Sequence, residues 1–97
     1  MSKVPVGKKA NTLVVHEGSE VHIYLHDTLI VAFDKQDRSA ILNSGGWRTV
    51  TTKRRMNEVS NEFDLGIQVF QDNFEWYVID TKGELLDFHD NMEVPID

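Results

Sequence analysis

The sequence predicts an α+β fold: an antiparallel β-sheet with one amphipathic α-helix, at about residues 52–64, packed on it. Two observations support this class. Short runs rich in β-branched residues recur between turn residues, and only the segment after Gly45-Gly46 has apolar residues at helical spacing. The chain has 97 residues, a length that suits one domain with one hydrophobic core.

Four strands are predicted before the glycine pair. TLVVH is followed by VHIYLH, in which Val21, Ile23 and Leu25 alternate with polar side chains, as in a half-buried strand. TLIVAF is a continuous apolar run, typical of a central strand, and a tight turn at His26-Asp27 would join it to the strand before it. SAILN is the fourth strand, after the turn at residues 34–37.

The helix is predicted from Met56, Val59 and Phe63, which recur at i, i+3 and i+7 and so share one face. We expect all three side chains to be buried. Thr51 or Thr52 is the expected N-cap, and Gly66 is expected near the C-terminal end.

Three strands are predicted after the helix, in IQVF, WYVID and ELLDF. The ends of the chain are expected to lie outside the fold. Residues 1–11 contain three lysines and no apolar periodicity, which indicates a mobile basic arm that is dispensable for folding. Residues 12–90 would form the domain, and residues 91–97 a loosely held acidic tail.

Charge is distributed unevenly along this acidic chain. The formal net charge is −6, yet residues 1–57 hold nine Lys/Arg and five Asp/Glu, whereas residues 58–97 hold one Lys and eleven Asp/Glu. Such asymmetry indicates charged partners. No apolar run is long enough to span a membrane, so no membrane partner is expected and the predicted location is the cytoplasm.

The segment GGWRTVTTKRR, residues 45–55, has four positive charges and no negative charge. Cations in the first turn of a helix oppose its dipole, so helix propensity does not explain them. Free backbone N–H groups, hydroxyls and guanidinium groups would converge there on an anion, and an aromatic ring could stack on a base. The predicted binding residues are Asn43, Gly45, Gly46, Trp47, Arg48, Thr49, Thr51, Thr52, Lys53, Arg54 and Arg55.

A structural role for the same residues remains open. Trp47 would then be a core or edge aromatic, and the arginines would pair with the acid-rich second half. If the segment binds an anion instead, replacing Arg54 and Arg55 with glutamine should weaken binding and leave the fold intact.

Catalytic and metal chemistry find little support in the sequence. Cysteine is absent, which excludes thiolate sites, and His22 and His26 are too far apart along one strand to share a metal ion. No serine lies in a nucleophile-elbow context. We therefore expect no catalytic residues, no metal and no cofactor, and predict that the protein is not an enzyme.

The run LNSGGWRTVTTKRRMN, residues 42–57, resembles a segment of small, mostly uncharacterised proteins of tailed bacteriophages. The resemblance extends to FEWYV and, more loosely, to DFHDNM, where Asn91 stands in place of an expected glycine. It covers about half of the chain and implies a phage protein that acts in the host cytoplasm. It implies no activity and no catalytic residue.

Three hypotheses follow for function. The first is a phage accessory protein that binds an anionic partner, nucleic acid above all, through residues 43–55. The second is an acidic inhibitor of a host enzyme or defence factor, and the third is a protein that binds a small nucleotide signal through its phosphate. The sequence leaves the oligomeric state open.

Overall fold

The computed structural model describes residues 3–4 and 11–97. This part of the chain has one helix and nine strands, which confirms the α+β class. In chain order the elements are β1 (Lys3–Val4), β2 (Thr12–Glu17), β3 (Glu20–Leu25), β4 (Thr28–Asp34), β5 (Ser39–Leu42), α1 (Val50–Glu62), β6 (Gln68–Asp72), β7 (Glu75–Ile79), β8 (Leu85–Asp87) and β9 (Met92–Pro95).

The strands form two antiparallel sheets. The larger has six strands in the order β1-β2-β3-β4-β5-β9, and the smaller has β6-β7-β8. The predicted tight turn between β3 and β4 is confirmed, because Leu25 pairs with Thr28 across it. Its first residue, His26, has a φ of 55°, the left-handed conformation that two-residue hairpin turns require.

The core lies between one face of the larger sheet, α1 and the smaller sheet. The predicted burial of Met56 and Val59 is confirmed, with 2 % and 0 % of their surface exposed. Phe63 is only half-buried, because it lies at the C-cap of α1 rather than within the helix. Its ring still packs on Phe33, with 5.1 Å between centroids.

Helix α1 begins and ends about two residues earlier than predicted. Thr49, not Thr51 or Thr52, is the N-cap: its hydroxyl accepts the N–H of Thr52 at 3.1 Å. At the C-terminus the N–H of Leu65 donates to the carbonyl of Ser60 at 2.9 Å. Asp64, with a φ of 55°, takes the left-handed position expected for Gly66, and this arrangement matches a Schellman motif.

Two polar side chains of α1 hold the smaller sheet. The Asn57 amide donates to the carbonyl of Val69 and accepts its N–H, both at 2.7 Å. Similarly, the Ser60 hydroxyl donates to the carbonyl of Ile67 at 2.6 Å and accepts its N–H at 3.1 Å. These side chains satisfy backbone groups of β6 and the residue before it, as a neighbouring strand would.

The prediction of a loosely held acidic tail at residues 91–97 is wrong. Met92–Pro95 form β9, which pairs with β5, and Val94 is fully buried. Apolar residues alternate with acidic or proline residues here, so that Met92, Val94 and Ile96 face the core. Asn91, where glycine was expected, has a φ of 65°, a conformation that asparagine tolerates better than most residues.

The N-terminal arm differs from expectation at the three of its residues that the structure describes, residues 3, 4 and 11. The carbonyl of Asn11 accepts the N–H of His26 at 2.7 Å. Lys3 and Val4 form β1 and pair with Val15 and Val14 of β2. This pairing contradicts the expected lack of structure at these two positions. The remaining parts of the predicted arm, residues 1–2 and 5–10, lie outside the described residues.

Candidate functional site

The glycine-containing loop before α1 is anchored by Asp90. One carboxylate oxygen of Asp90 accepts the N–H of Ser44 at 2.8 Å and its hydroxyl at 2.7 Å. Burial alone would raise the pKa of Asp90, but these two hydrogen bonds, with smaller contributions from the charges of Arg48 and His89, bring that pKa below its usual value. The carboxylate thus ties this loop to the chain between β8 and β9.

The two glycines have different roles. Gly45 has a φ of 62°, and a Cβ atom there would lie 2.6 Å from the methyl group of Thr28. Its missing side chain therefore lets the loop pack on β4, not on a ligand. Gly46, with a φ of 85°, faces open space. Asn43 also serves the fold, because its N–H donates to the carbonyl of Ile30 at 2.9 Å.

The three threonines of the segment also differ in their roles. Thr49 caps the helix, and the buried Thr52 hydroxyl lies 3.1 Å from that of Thr49. Thr51 is exposed. Of the three hydroxyls, that of Thr51 is the one without a hydrogen bond among the described residues.

Arg48 and Lys53 converge on a pair of core aromatic rings. The guanidinium of Arg48 lies over the ring of Phe88, 5.2 Å from its centroid, and the ammonium of Lys53 lies 6.0 Å from the centroid of Trp76. The two rings pack edge to face at 5.2 Å. The aromatic faces orient both cations through cation–π attraction, without neutralising their charge.

Arg54 and Arg55 lie on different sides of the helix. Arg54 is exposed, whereas Arg55 is only 3 % exposed and forms an ion pair with Glu58 one turn later. The Nε atom of Arg55 is buried and has no hydrogen-bond partner among the described residues. Helical periodicity therefore turns the Arg55 side chain inward, away from the exposed cations of the segment.

Trp47 is not a core residue, since 67 % of its surface is exposed. It lines a cleft of about 590 Å³ between the start of α1 and the β3–β4 hairpin. Thr49, Thr51 and Thr52 line the same cleft, opposite His26 and Asp27. None of the four cations of the segment lines it, and Trp47 is the residue that the cleft shares with the surface that carries these cations.

Ion pairing with the acid-rich second half does not account for the basic segment. Within the described residues, the only ion pairs are His22 with Glu20 and Arg55 with Glu58. Arg48, Lys53 and Arg54 therefore form no ion pair in this part of the chain, although Arg48 lies near enough to Asp90 to help lower its pKa. We call Trp47, Arg48, Lys53 and Arg54 the cationic surface.

Sequence reasoning missed the groups that support this surface. Trp76 and Phe88 are core residues, and their contact with the cations depends on long-range packing. Phe74 was also missed: it is 90 % exposed at the tip of the β6–β7 hairpin, with a φ of 68°. The dipeptide Asn73-Phe74 between two predicted strands could have indicated a two-residue turn with Phe74 at its exposed tip, because such turns favour Asn-Gly.

The described residues contain neither a cluster suited to a metal ion nor a helix suited to crossing a membrane. In residues 3–4 and 11–97, no three His, Cys, Asp or Glu side chains are arranged to hold a metal ion. His22 lies beside Glu20, while His16 lies edge-on to Phe63. The one helix of the described chain lacks the length and apolar character needed to cross a bilayer.

Comparison with known proteins gives a family but no activity. No curated protein and no solved structure matches the chain. Residues 3–95 match the family model described as Kyanoviridae Gp96 protein, a family of cyanophage proteins. Because that match covers nearly the whole sequence, the chain belongs to the Kyanoviridae Gp96 family and is a phage protein.

Proposed function

We propose that this phage protein binds nucleic acid through its cationic surface, with phosphates on Arg48, Lys53 and Arg54 and a base stacked on Trp47. The proposal rests on one observation: two of the cations lie over the faces of aromatic rings. Arg48 and Lys53 rest on the contacting rings of Phe88 and Trp76, and no carboxylate pairs with them in the described chain. Positive charge and exposed aromatic surface are the two components that single-stranded nucleic acid recognises.

The acidic remainder of the molecule limits the strength of this binding. Three phosphate contacts on a chain of net charge −6 should give weak affinity that falls steeply with salt. A single strand suits the surface better than a duplex, because Trp47 is 67 % exposed and a stacked base must be unpaired or at an end.

Stacking on Trp47 can be tested directly. We expect Trp47→Ala to weaken binding of a labelled single-stranded oligonucleotide by about 1–3 kcal/mol, the value of one base–aromatic stack. Fluorescence anisotropy at low salt measures the affinity, and Leu85→Ala, which removes another exposed apolar side chain, is the matched control. Equal affinities of wild type and Trp47→Ala for single strands would refute the stacking role, and no binding by either would refute the function.

A host protein is the second candidate partner, and Phe74 favours it. This side chain is 90 % exposed between the carboxylates of Asp72 and Glu75, a combination that suits an apolar pocket with a basic rim. Pull-down from host lysate, with and without nuclease, separates the candidates. A partner that is retained after nuclease and lost in Phe74→Ala supports the protein-binding role, whereas loss of all capture after nuclease supports nucleic acid.

A further inference from the structure

The cleft between the start of α1 and the β3–β4 hairpin has the size of a small-molecule site. Its volume of about 590 Å³ lies within the range of about 300–1,000 Å³ that is usual for ligand pockets. The buried side chains of Leu25 and Ile30 line its apolar part, while polar side chains and the ring of Trp47 line the rest. Apolar surface with a few polar groups is the usual lining of such a pocket.

Both walls of the cleft are held by contacts with the fold. On the hairpin wall, the N–H of His26 donates to the carbonyl of Asn11 at 2.7 Å. On the opposite wall, the N–H of Trp47 donates to the carbonyl of Ser44 at 2.9 Å, and the packing of Gly45 on the start of β4 joins this loop to the hairpin. The backbone of the cleft is therefore formed before a ligand enters, which lowers the cost of binding.

The cleft contains one carboxylate, that of Asp27, and no lysine or arginine lines it. In two other turns, the carboxylates of Asp34 and Asp80 accept backbone N–H groups of their own turn. Asp27 is exposed and, among the described residues, accepts no such bond and forms no ion pair. Its two oxygens are therefore available to hydrogen-bond donors of a ligand.

The charge of the cleft favours the base of a nucleotide over its phosphate. A carboxylate repels phosphate, and no cation of the lining offsets this repulsion. A base is neutral and planar, and it can stack on the exposed ring of Trp47. Because Trp47 also belongs to the cationic surface, a base in the cleft can keep its phosphates beside the cations.

The chemistry of Asp27 selects one base. An ionised carboxylate has acceptors only, two oxygens side by side. Guanine has two adjacent donors, N1–H and the 2-amino group, on the edge that an unpaired base presents to proteins. In adenine and cytosine the amino donor is next to a ring acceptor, and in thymine and uracil the single N–H lies between two carbonyls.

We propose that the cleft binds one unpaired guanine of a single strand, stacked on Trp47 with its N1–H and 2-amino groups on the carboxylate of Asp27. This assignment rests on the proposed binding of nucleic acid and adds a base preference to it. Hydrogen bonds to a charged acceptor are stronger than those between neutral groups, so the preference should be measurable in a weak complex.

Fluorescence anisotropy at low salt tests the preference on the purified chain. The probes are short labelled thymine strands that carry one central guanine, hypoxanthine, adenine or cytosine. The wild type should bind the guanine strand at least about fivefold more tightly than the other three, the lower value for a bidentate contact with a base. Hypoxanthine lacks only the 2-amino group of guanine, so this comparison tests the contact without any change in the protein.

Two variants assign the preference to one carboxylate. Asp27→Ala should bind the four strands with similar affinities. Asp37→Ala removes an exposed carboxylate from the turn at the other end of β4 and should keep the preference for guanine. Both side chains are exposed, so both variants should melt as cooperatively as the wild type.

Competition with guanosine monophosphate separates a strand from a free nucleotide. The nucleotide brings a single phosphate to three cations, so it should displace the labelled guanine strand less effectively than the unlabelled strand does. Displacement by the nucleotide at equal or lower concentration overturns the assignment to a strand.

The outcomes distinguish the base preference from the proposed function. Equal affinities of the wild type for the four strands overturn the guanine assignment and leave nucleic-acid binding in place. No binding of any strand at low salt refutes the function and the assignment together. A preference that hypoxanthine shares, that persists in Asp27→Ala, or that Asp37→Ala abolishes equally overturns the assignment as well.

Discussion

Arg54 and Arg55 are neighbours in one basic run, but they have opposite roles. The helix turns by about 100° per residue, so Arg54 points to solvent while Arg55 joins the buried face with Met56 and Val59. The expectation that both could be replaced without harm to the fold treated them as equivalent. The structure assigns only Arg54 to the cationic surface.

Single replacements should separate these roles. We expect Arg54→Gln to leave the free energy of unfolding nearly unchanged, because its side chain is exposed. Arg55→Gln should lower it by about 1–3 kcal/mol, less than the loss of a fully buried ion pair, because Glu58 is partly exposed. Urea unfolding measures both values. Equal stabilities of the two variants would contradict the assignment of Arg55 to the fold.

Asn57 should be among the most sensitive polar residues of the helix. Asn57→Ala leaves the N–H and carbonyl of Val69 without their partners, so we expect the free energy of unfolding to fall by about 2–4 kcal/mol. Asn61→Ala removes the same side chain at an exposed position of the same helix and is the control. Chemical denaturation of both variants checks the difference, and similar losses would contradict this role of Asn57.

The β6–β7 hairpin carries strain at its tip. Asn73 and Phe74 have φ values of 52° and 68°, so both central residues of the turn are left-handed. Only glycine adopts this conformation without steric cost. A 90 % exposed phenylalanine therefore costs stability at this element without contributing to the core.

Relieving this strain should stabilise the protein. We expect Phe74→Gly to increase the free energy of unfolding by about 0.5–1 kcal/mol, since the left-handed conformation of the turn is retained at lower cost. Differential scanning calorimetry measures the change, and Phe74→Ala, which keeps a Cβ atom at the positive φ, is the control. A lower melting temperature for Phe74→Gly than for Phe74→Ala would show that the turn is not strained.

The loop before α1 should loosen in acid. The pKa of Asp90 is below its usual value, so its carboxylate stabilises the folded state above the unfolded-state pKa of about 3.9, and this contribution is lost as pH falls through the lower folded-state pKa. We expect Asp90→Asn to be less stable at pH 7 and to lose less stability than wild type on acidification. A residual acid loss should remain, because the pKa of Asp34 is also lowered.

Urea midpoints between pH 7 and pH 2 for wild type and Asp90→Asn provide this comparison. Parallel curves would contradict the stabilising role of the Asp90 carboxylate. The amide signals of Ser44 and Gly46 should shift in the same acidic range, since Ser44 hydrogen-bonds to Asp90 and Gly46 donates to the Ser44 hydroxyl at 3.2 Å.

Local sequence patterns predicted the fold class of the whole molecule. Pairing between distant segments determines the division into two sheets and the place of the last strand. Met56 and Val59 were predictable because helical spacing is a local signal, as was the turn at His26-Asp27. The role of Val94 was missed, because its strand pairs with β5, more than fifty residues earlier in the chain. The division into two sheets likewise depends on contacts between distant segments.

The position of the candidate site in the sequence was predictable, but the contacts of its side chains were not. Composition identified the basic segment but left open whether Trp47 within it is exposed, as it is in the structure. It did not distinguish Arg55 from the other cations, because its ion pair depends on the exact register of the helix. Nor did it find the contact of Arg48 with Phe88, which is forty residues away in sequence.

The proposed function requires that Arg48, Lys53 and Arg54 remain available to phosphates in an acidic protein. Its most direct test is the slope of log affinity against log salt concentration for a single-stranded oligonucleotide. Three phosphate contacts predict a slope of about −2 for wild type, and Arg54→Gln should reduce its magnitude by about 0.7. Lys82→Gln removes an exposed cation elsewhere and should leave the slope unchanged. A slope near zero for wild type, or the same reduction in Lys82→Gln as in Arg54→Gln, would contradict the claim.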